Sequence, residues 1–159
     1  MKNRQAGFTL IELLVVVAII LIIAAIAIPN FLRAKMSANE SSAVSSIHAV
    51  DTAEIGYSSM FVDIGYSASL ADLGPGGTGT CPGTATASCF IDPVLATGTK
   101  SGYIFTYVQN ASVTPAIQFT INADPLMPNF TGQRGFFSDE SNVIRYNSTG
   151  SANISSPPL

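Results

Sequence analysis

The side chains that could perform chemistry are few in this sequence, and they form no recognisable catalytic set. His48 is the single histidine, and a lone histidine in a helical segment is more often packed or solvated than a base or a ligand. No Ser-His-Asp or Cys-His arrangement can be defended. Asp139, Glu140 and Asn142 lie close together, but such residues are usual in turns, and calcium binds about six to eight oxygens. We therefore expect no catalytic residue, no metal site and no cofactor, in a protein that is not an enzyme.

The two cysteines, Cys81 and Cys89, are the remaining candidates for covalent chemistry. They do not form a C-x-x-C motif, and with no histidine nearby they cannot supply the roughly four ligands of a structural zinc site. If the domain lies outside the cytoplasm, a disulfide between them is expected to persist, and it would close a small loop, residues 82–88. Two free thiols in a loop is the alternative.

Composition restricts the function classes further. The chain is 47% hydrophobic and only 11% charged, its mean hydropathy is +0.38, and the apolar excess lies almost entirely in the first 28 residues. Its formal net charge of −3 argues against a nucleic-acid-binding surface, which requires a clustered basic face. A length of 159 residues leaves room for one domain of ordinary size.

The N-terminal region has the pattern of a membrane-spanning helix. A short cationic head with Lys2 and Arg4 comes first. Apolar residues then run from Phe8 to Ile28, interrupted only by Thr9 and Glu12. About 20 such residues, at 1.5 Å per residue in a helix, cross a hydrocarbon core of roughly 30 Å. The basic residues before the span keep the N-terminus in the cytoplasm and predict that the rest is exported.

Two ordinary interpretations of this segment compete. A secretory signal peptide has a shorter apolar region followed by a small-x-small cleavage site, which Ala24, Ala25 and Ala27 could imitate. A plain single-span anchor fits the length but leaves Glu12 unexplained, because an ionisable side chain near the start of a span costs a few kcal/mol in lipid. Such a group usually has a partner.

The residues from Gly7 to Leu13 read GFTLIEL, after a short basic head and before a long apolar helix. This segment resembles the prepilin cleavage motif of type IV pilins and type II secretion pseudopilins. The resemblance implies that a prepilin peptidase cleaves after Gly7 and that Phe8 is then N-methylated. It also implies that Phe8, Thr9 and Glu12 act in assembly, with Glu12 meeting the new N-terminal amine of a neighbouring subunit.

The charge on Glu12 has a physical use in such an assembly. In a filament core of packed apolar helices, an unpaired carboxylate or ammonium is heavily penalised, whereas a hydrogen-bonded pair compensates much of that cost. A neighbouring subunit that docks out of alignment would leave a buried, unpaired charge. We therefore interpret Glu12 as a residue that fixes the docking register of neighbouring subunits and not as a source of stability. Cleavage would also remove Lys2 and Arg4, leaving five basic side chains against ten acidic ones.

A single long helix is predicted from about Phe8 to about Ser59. Pro29 removes a backbone donor inside it, so we expect a kink or local opening there; the resemblance implies that this proline also acts in assembly. Beyond the span, apolar residues recur at three- or four-residue steps, as one face of an amphipathic helix requires. That face comprises Phe31, Leu32, Val44, Ile47, Val50, Tyr57 and Phe61.

Acidic side chains of this helix are expected outside the core. Glu40 and Asp51 fall on the side opposite the apolar face. Glu54 falls near the apolar face and is expected at a solvated edge, with a pairing to Arg134 or Arg145 as the alternative.

The rest of the chain predicts a small sheet. Residues 65–102 are rich in Gly, Ser, Thr, Ala and Pro, with a turn cluster at 74–77, and in pilin-like proteins the corresponding loop faces neighbouring subunits. Strands are predicted at about 103–108, 117–122, 134–137 and 143–146, and residues 147–159 predict a loosely held tail. The predicted fold class is therefore α+β: a long N-terminal α-helix, apolar in its first half, packed against a small antiparallel β-sheet head.

The predicted divisions are a leader peptide, 1–7; a transmembrane and filament-core helix, 8–29; and an extracytoplasmic head, 30–159, with its sheet at 103–146. Many pilins bracket a C-terminal loop with their disulfide, so Cys81 and Cys89 depart from that pattern and no receptor-binding loop is carried over.

The resemblance implies a structural subunit that self-assembles into a helical homopolymer, a type IV pilus. Its other partners are the prepilin peptidase, the inner-membrane assembly machinery and membrane lipid. It is expected in the inner membrane as a precursor and then in an extracellular filament, where adhesion, twitching motility and DNA uptake all stay open. The alternatives are a pseudopilin of a type II secretion filament and a static membrane-anchored binding module.

Overall fold

The computed structural model describes residues 8–76 and 80–159. The predicted leader, including Gly7, and Gly77 of the predicted turn cluster lie outside the described residues. The helices are α1 (Leu10–Met60), α2 (Leu70–Leu73) and α3 (Pro93–Ala96), and the strands are β1 (Thr99–Lys100), β2 (Tyr103–Gln109), β3 (Phe119–Pro125), β4 (Gly135–Asp139) and β5 (Arg145–Asn147).

The chain divides into two compact units, residues 1–35 and residues 36–159. In the first unit, the described part belongs almost wholly to α1, which is long and apolar enough to cross a membrane by length and composition. Its large apolar side chains are exposed in the single chain. The apolar part of α1 in this unit therefore does not form a hydrophobic core in the single chain.

Pro29 lies inside α1, and the helix continues past it. The local opening predicted at this residue is therefore absent from the single subunit. Proline at this position removes one hydrogen bond, the one to the carbonyl of Ala25. The side chain of Asn30 adds a bond in the same turn, because its Nδ2 donates to the carbonyl of Ile26 at 3.1 Å.

The second unit is built from the later part of α1 and a five-stranded antiparallel sheet in the order β1-β2-β3-β4-β5. The predicted α+β class is confirmed. Ile47, Val50 and Tyr57 of the predicted apolar face are buried, and Val44 and Phe61 pack against them. The sheet covers them with the apolar side chains of alternate residues, because successive residues of a strand point to opposite faces; these are Tyr103, Phe105, Phe119, Ile121, Ala123 and Phe136.

Residues 65–102 contain more structure than predicted, since α2, α3 and β1 all lie there. The start of α3 explains why: Asp92 accepts hydrogen bonds from the backbone N–H groups of Val94 (3.1 Å) and Leu95 (3.0 Å), and Pro93 occupies the first helical turn. Asp followed by Pro is a helix-start signal. Leu95 is then fully buried, so this short helix closes one side of the core.

Strand β3 begins two residues later than the predicted start at residue 117. Ala116 pairs instead with the segment that follows α1. Its N–H donates to the carbonyl of Ile64 (2.8 Å), and its carbonyl accepts from the N–H of Tyr66 (3.0 Å). Gly65 lies between those two residues with φ +82°, and a Cβ on it would stand 2.1 Å from the carbonyl oxygen of Ala116. Only glycine fits this contact.

The C-terminal tail, predicted to be loosely held, is fixed against the sheet. Tyr146 donates its N–H to the carbonyl of Pro157 (3.0 Å), and Leu159 donates to that of Ile144 (2.9 Å). The side chain of Asn122 donates to the carbonyl of Ala152 at 2.7 Å, and Ala152 is buried. The prediction was wrong because a polar tail can pair with a free strand edge without any hydrophobic signal in its sequence.

Candidate assembly site and buried charges of the head

Two of the predicted assembly residues, Thr9 and Glu12, form a reciprocal cap on α1. The carboxylate of Glu12 accepts hydrogen bonds from the backbone N–H of Thr9 (2.8 Å) and from its hydroxyl (2.6 Å). In return, the Thr9 hydroxyl oxygen accepts from the backbone N–H of Glu12 at 3.3 Å. This is a capping box, in which a Thr before the helix and a Glu three residues later satisfy each other's free donors.

The capping box was missed at the level of sequence, although its signal was present. Thr-x-x-Glu directly before an apolar run is typical of a helix start. The cap gives Glu12 a partner within its own chain, which a plain membrane anchor would also have. It does not neutralise the carboxylate, because Thr9 carries no charge.

The surface around this cap is apolar and uncovered. Phe8 is 88% exposed, and Ile11, Val15 and Val16 line the same side of the helix as Glu12. Exposed apolar area of this extent requires lipid or other apolar helices to cover it. A lone carboxylate is thus surrounded by side chains that belong in a low-dielectric environment.

The other predicted site residues lie elsewhere. Pro29 is 17 positions after Glu12 in the same helix. Cys81 and Cys89 are joined in a disulfide in the second unit, with Cα atoms 5.6 Å apart. His48 is exposed on α1.

The carboxylate of Asp139 stabilises the turn in which it lies, as the sequence suggested. Its carboxylate accepts from the N–H of Ser141 at 2.9 Å and from the hydroxyl of Ser141 at 2.5 Å. Within residues 8–76 and 80–159, no group of three or more His, Cys, Asp or Glu side chains could hold a metal ion.

Glu40 was predicted on the solvated side of α1 but is buried in an ion pair. Its carboxylate accepts from Arg134 Nε at 2.9 Å and from the backbone N–H groups of Gln133 (2.9 Å) and Arg134 (3.3 Å). Burial alone would raise the pKa of Glu40, but these hydrogen bonds outweigh it and hold the pKa below its usual value. The Arg134 guanidinium also lies over the rings of Phe136 and Tyr146.

Asp51 and Glu54 are buried one turn apart on α1, so their predicted solvated positions were wrong. Asp51 accepts from the hydroxyl of Ser138 at 2.8 Å, and its other carboxylate oxygen has no partner. Glu54 accepts from the backbone N–H of Ser67 (2.9 Å) and from the Ser67 hydroxyl (2.5 Å). Neither carboxylate pairs with an arginine.

Burial governs the protonation of both acids. It raises the pKa of Asp51 to about 6, with the charges of Asp139 and Glu54 adding to the shift and the Ser138 hydrogen bond opposing it. Burial likewise raises the pKa of Glu54. The head therefore holds two carboxyl groups that bind protons more tightly folded than unfolded.

Comparison with known proteins gives matches in the N-terminal region. Residues 2–28 match the family described as the prokaryotic N-terminal methylation motif. The chain is 50% identical over 56 residues to the type IV major pilin protein PilA of Myxococcus xanthus, covering 35% of this chain and 26% of that protein. It is 60% identical over 40 residues to the type IV wide pilus major component PilA4 of Thermus thermophilus, covering 25% and 30%.

A type II secretion protein is also similar to this chain. The core protein G of the Aeromonas hydrophila type II secretion system is 44% identical over 52 residues, covering 33% of this chain and 36% of that protein. The chain thus spans between 26% and 36% of the length of these three relatives. No solved structure matches the chain at a significant level.

Proposed function

We propose that the chain is a member of the family of type IV pilins and type II secretion pseudopilins, and that it is the precursor of a pilin, the structural subunit of a type IV pilus; the match of residues 2–28 to the prokaryotic N-terminal methylation motif supports this. The leader is cleaved after Gly7, Phe8 is N-methylated, and the processed chains polymerise through their N-terminal helices. The observation that carries this proposal is the motif itself, GFTLIE from Gly7 to Glu12. It precedes the apolar first part of α1, whose large side chains are exposed in the single chain.

The geometry at Glu12 supports a role in docking. Its carboxylate is exposed and hydrogen-bonded only to neutral Thr9 groups, so it retains its charge for a cationic partner. Cleavage creates an ammonium group at Phe8, and in a core of packed helices these two opposite charges compensate each other. A neighbouring subunit docked out of register leaves both of them buried and unpaired, which favours a single register.

A pseudopilin is the second candidate, because a type II secretion core protein G shares 44% of 52 aligned residues with this chain. Two named pilus components are somewhat more identical over their aligned segments, at 50% and 60%, and this supports the pilus. The two functions differ in where the processed subunit accumulates. A pilin is recovered in material sheared from the cell surface, whereas a pseudopilin stays with the inner membrane.

Two substitutions separate the charge of Glu12 from its capping role. Glu12→Gln retains an oxygen that accepts from the Thr9 N–H but removes the charge, and we expect it to abolish surface filaments. Thr9→Val removes the capping hydroxyl and retains the charge. It should weaken the helix start by about 1 kcal/mol and should lower the filament yield much less than Glu12→Gln does. The measurement is the amount of subunit in sheared material, with cleavage verified for each variant by intact mass.

Intact mass of the wild-type subunit tests the processing. Residues 8–159 with one added methyl group and two hydrogens lost to the Cys81–Cys89 bridge is the expected species. An uncut chain in sheared material, or normal filaments from Glu12→Gln, would contradict the proposal. A cleaved, methylated subunit confined to the inner membrane would favour the pseudopilin.

A further inference from the structure

A groove lies on the face of the sheet that does not pack on α1. Successive residues of a strand point to opposite faces, and Phe119, Ile121 and Phe136 belong to the core. Thr120 and Asp139, which are register partners, therefore lie on the other face. The groove has a volume of about 450 Å³, within the range of roughly 300–1,000 Å³ that is usual for binding sites.

We call this cavity the outer groove. Its lining side chains are either apolar or carry amide, hydroxyl or carboxylate groups, and none of the described residues that line it is Lys, Arg or His. The lining residues are Val108, Asn110, Gln118, Phe119, Thr120, Phe137, Asp139, Glu140, Asn153 and Ile154.

Part of the outer groove is apolar. Phe119 and Phe137 are buried residues of β3 and β4, whereas Val108 and Ile154 are 56% and 65% exposed. Ile154 belongs to the C-terminal tail, which is fixed against the sheet by the hydrogen bonds described above. The outer groove can therefore cover the aliphatic part of a ligand, and removing such a surface from water favours binding.

A chain of hydrogen bonds fixes the polar side chains of the outer groove. Asn110 Oδ1 accepts from the N–H (3.2 Å) and the hydroxyl (2.6 Å) of Ser112. Asn110 Nδ2 donates to Gln118 Oε1 at 2.8 Å, and Gln118 Nε2 donates to Glu140 Oε1 at 3.3 Å. The amide donors of this chain therefore serve the groove itself. The second carboxylate oxygen of Glu140, Oε2, accepts no hydrogen bond from the described residues and keeps its capacity for a ligand.

Asp139 gives the outer groove a second carboxylate with a free acceptor. The residue is more than nine-tenths buried, and its Oδ1 takes both hydrogen bonds from Ser141. Its Oδ2 accepts none from the described residues, yet it is not among the buried atoms that are sealed from solvent. A carboxylate in such a position is stabilised by a donor that enters the groove.

The free groups of the outer groove select one kind of ligand. They are acceptors on two acidic side chains, Asp139 and Glu140, with no basic side chain among the described lining residues to compensate them. An ammonium or guanidinium group consists of donors only and carries the opposite charge. Its hydrogen bonds to carboxylates are roughly twice as strong as those between neutral groups.

We propose that the outer groove binds an arginine or lysine side chain of a basic partner peptide. The charged end of that side chain meets the free carboxylate oxygens of Asp139 and Glu140, and its aliphatic stem packs against Val108 and Ile154. Every residue of this site lies in the second unit. The inference does not depend on filament formation, because a single unassembled chain contains the complete groove.

The test measures binding of a basic peptide to the full chain in neutral detergent micelles. The probe is acetyl-Ala-Arg-Ala-amide, and the control peptide carries citrulline in place of arginine, which keeps the shape of the side chain but is neutral. Binding is followed by the nuclear magnetic resonance shifts of the side-chain amides of Asn110, Gln118 and Asn153, which line the groove.

The protein variants change the charge of the groove at its exposed carboxylate. Glu140→Gln removes the negative charge and Glu140→Lys reverses it, and because Glu140 is exposed neither change disturbs the core. The matched control is Asp63→Asn, which removes an exposed carboxylate that does not line the groove. Unchanged backbone signals outside the groove verify that each variant is folded.

We expect saturable shifts of these amides with the arginine peptide and binding of the citrulline peptide that is weaker by about fivefold or more. Glu140→Gln should weaken binding of the arginine peptide by about three- to tenfold, Glu140→Lys should abolish it, and Asp63→Asn should leave it unchanged. Equal binding of the two peptides, no saturable shift with either, or unchanged affinity in both Glu140 variants would overturn the proposal. So would shifts of the same amides when the chain is concentrated without peptide, since these identify a second copy as the occupant.

Discussion

At the scale of single residues, Arg134 joins more of the head than any other described cation. Its Nε holds the Glu40 carboxylate of α1, and its guanidinium lies 5.6 Å from the ring centre of Phe136 and 5.8 Å from that of Tyr146. The ion pair therefore connects the helix to two strands of the sheet. Because Glu40 is nearly buried, its charge depends on the cation for compensation.

Arg134→Met is expected to lower the free energy of unfolding by about 1–3 kcal/mol, because it leaves the Glu40 carboxylate buried without a cation while retaining much of the apolar stem. The measurement is denaturant unfolding of the full chain in detergent, followed by the near-ultraviolet circular dichroism of its tyrosines. The matched control is Lys100→Met, which breaks the half-exposed pair with Asp92 and should cost less than about 1 kcal/mol.

A double-mutant cycle completes this test. Glu40→Gln combined with Arg134→Met removes both charges, so the pair should lose less stability than the sum of the two single variants. Strict additivity would mean that Glu40 and Arg134 do not stabilise each other, and the account of the buried pair would be wrong.

At the scale of elements, the contact between Gly65 and Ala116 connects the segment after α1 to the loop that precedes β3. Gly65→Ala should be strongly destabilising for two reasons: a positive φ, which costs a non-glycine residue about 1–2 kcal/mol, and a Cβ that would collide with the Ala116 carbonyl. We expect a loss well above 2 kcal/mol in the same unfolding measurement.

Gly83→Ala separates these two causes. Gly83 also has a positive φ, +68°, but a Cβ there would meet nothing within 4 Å. The Gly83→Ala variant should therefore lose only the part of the free energy of unfolding that comes from the positive φ, about 1–2 kcal/mol. Equal losses for the two variants would show that the close approach at Ala116 has no energetic importance.

The elements also show what the sequence could and could not predict. The first half of the helix from about 8 to 59 was predicted from its continuous apolar run, and its second half and the strand at 103–108 were predicted from the periodicity of their apolar residues. Helix α3 was missed although Asp92 and Pro93 signalled it. The tail was mispredicted because it forms its hydrogen bonds to the sheet through its backbone N–H and carbonyl groups, which carry no residue preference.

Some charged residues of the site and of the head could be predicted from the sequence and others could not. The sequence singled out Glu12 because a charge in an apolar run is conspicuous. Asp51 and Glu54 were assigned to solvent because periodicity alone gives no information about a partner. Their hydrogen bonds come from Ser138 and Ser67, which lie 87 and 13 positions away, and no local pattern connects these residues.

At the scale of the whole molecule, acids with opposite pKa shifts give the head a maximum of stability in mildly acidic solution. Glu40, whose pKa is lowered, stabilises the fold above its ordinary value of 4.5 and loses this contribution as pH falls below it. Asp51 and Glu54, whose pKa values are raised, stabilise the fold at low pH and lose their contribution as pH rises.

The fall in stability with rising pH is therefore expected to weaken on substitution of Asp51. Its pKa moves from an ordinary value of 3.8 to about 6 in the fold, so the folded state binds the proton more tightly and stability falls as pH rises from about 4 through 6. A pKa shift of about two units corresponds to a change of at most about 3 kcal/mol in the free energy of unfolding. Thermal unfolding of the full chain in detergent between pH 4.5 and pH 7 should show the midpoint falling, and Asp51→Asn, neutral throughout, should remove much of the fall. Asp63→Asn, which removes an exposed carboxylate, should leave the wild-type slope unchanged. A slope that persists in Asp51→Asn would assign the proton uptake to Glu54 alone and contradict the role given to Asp51.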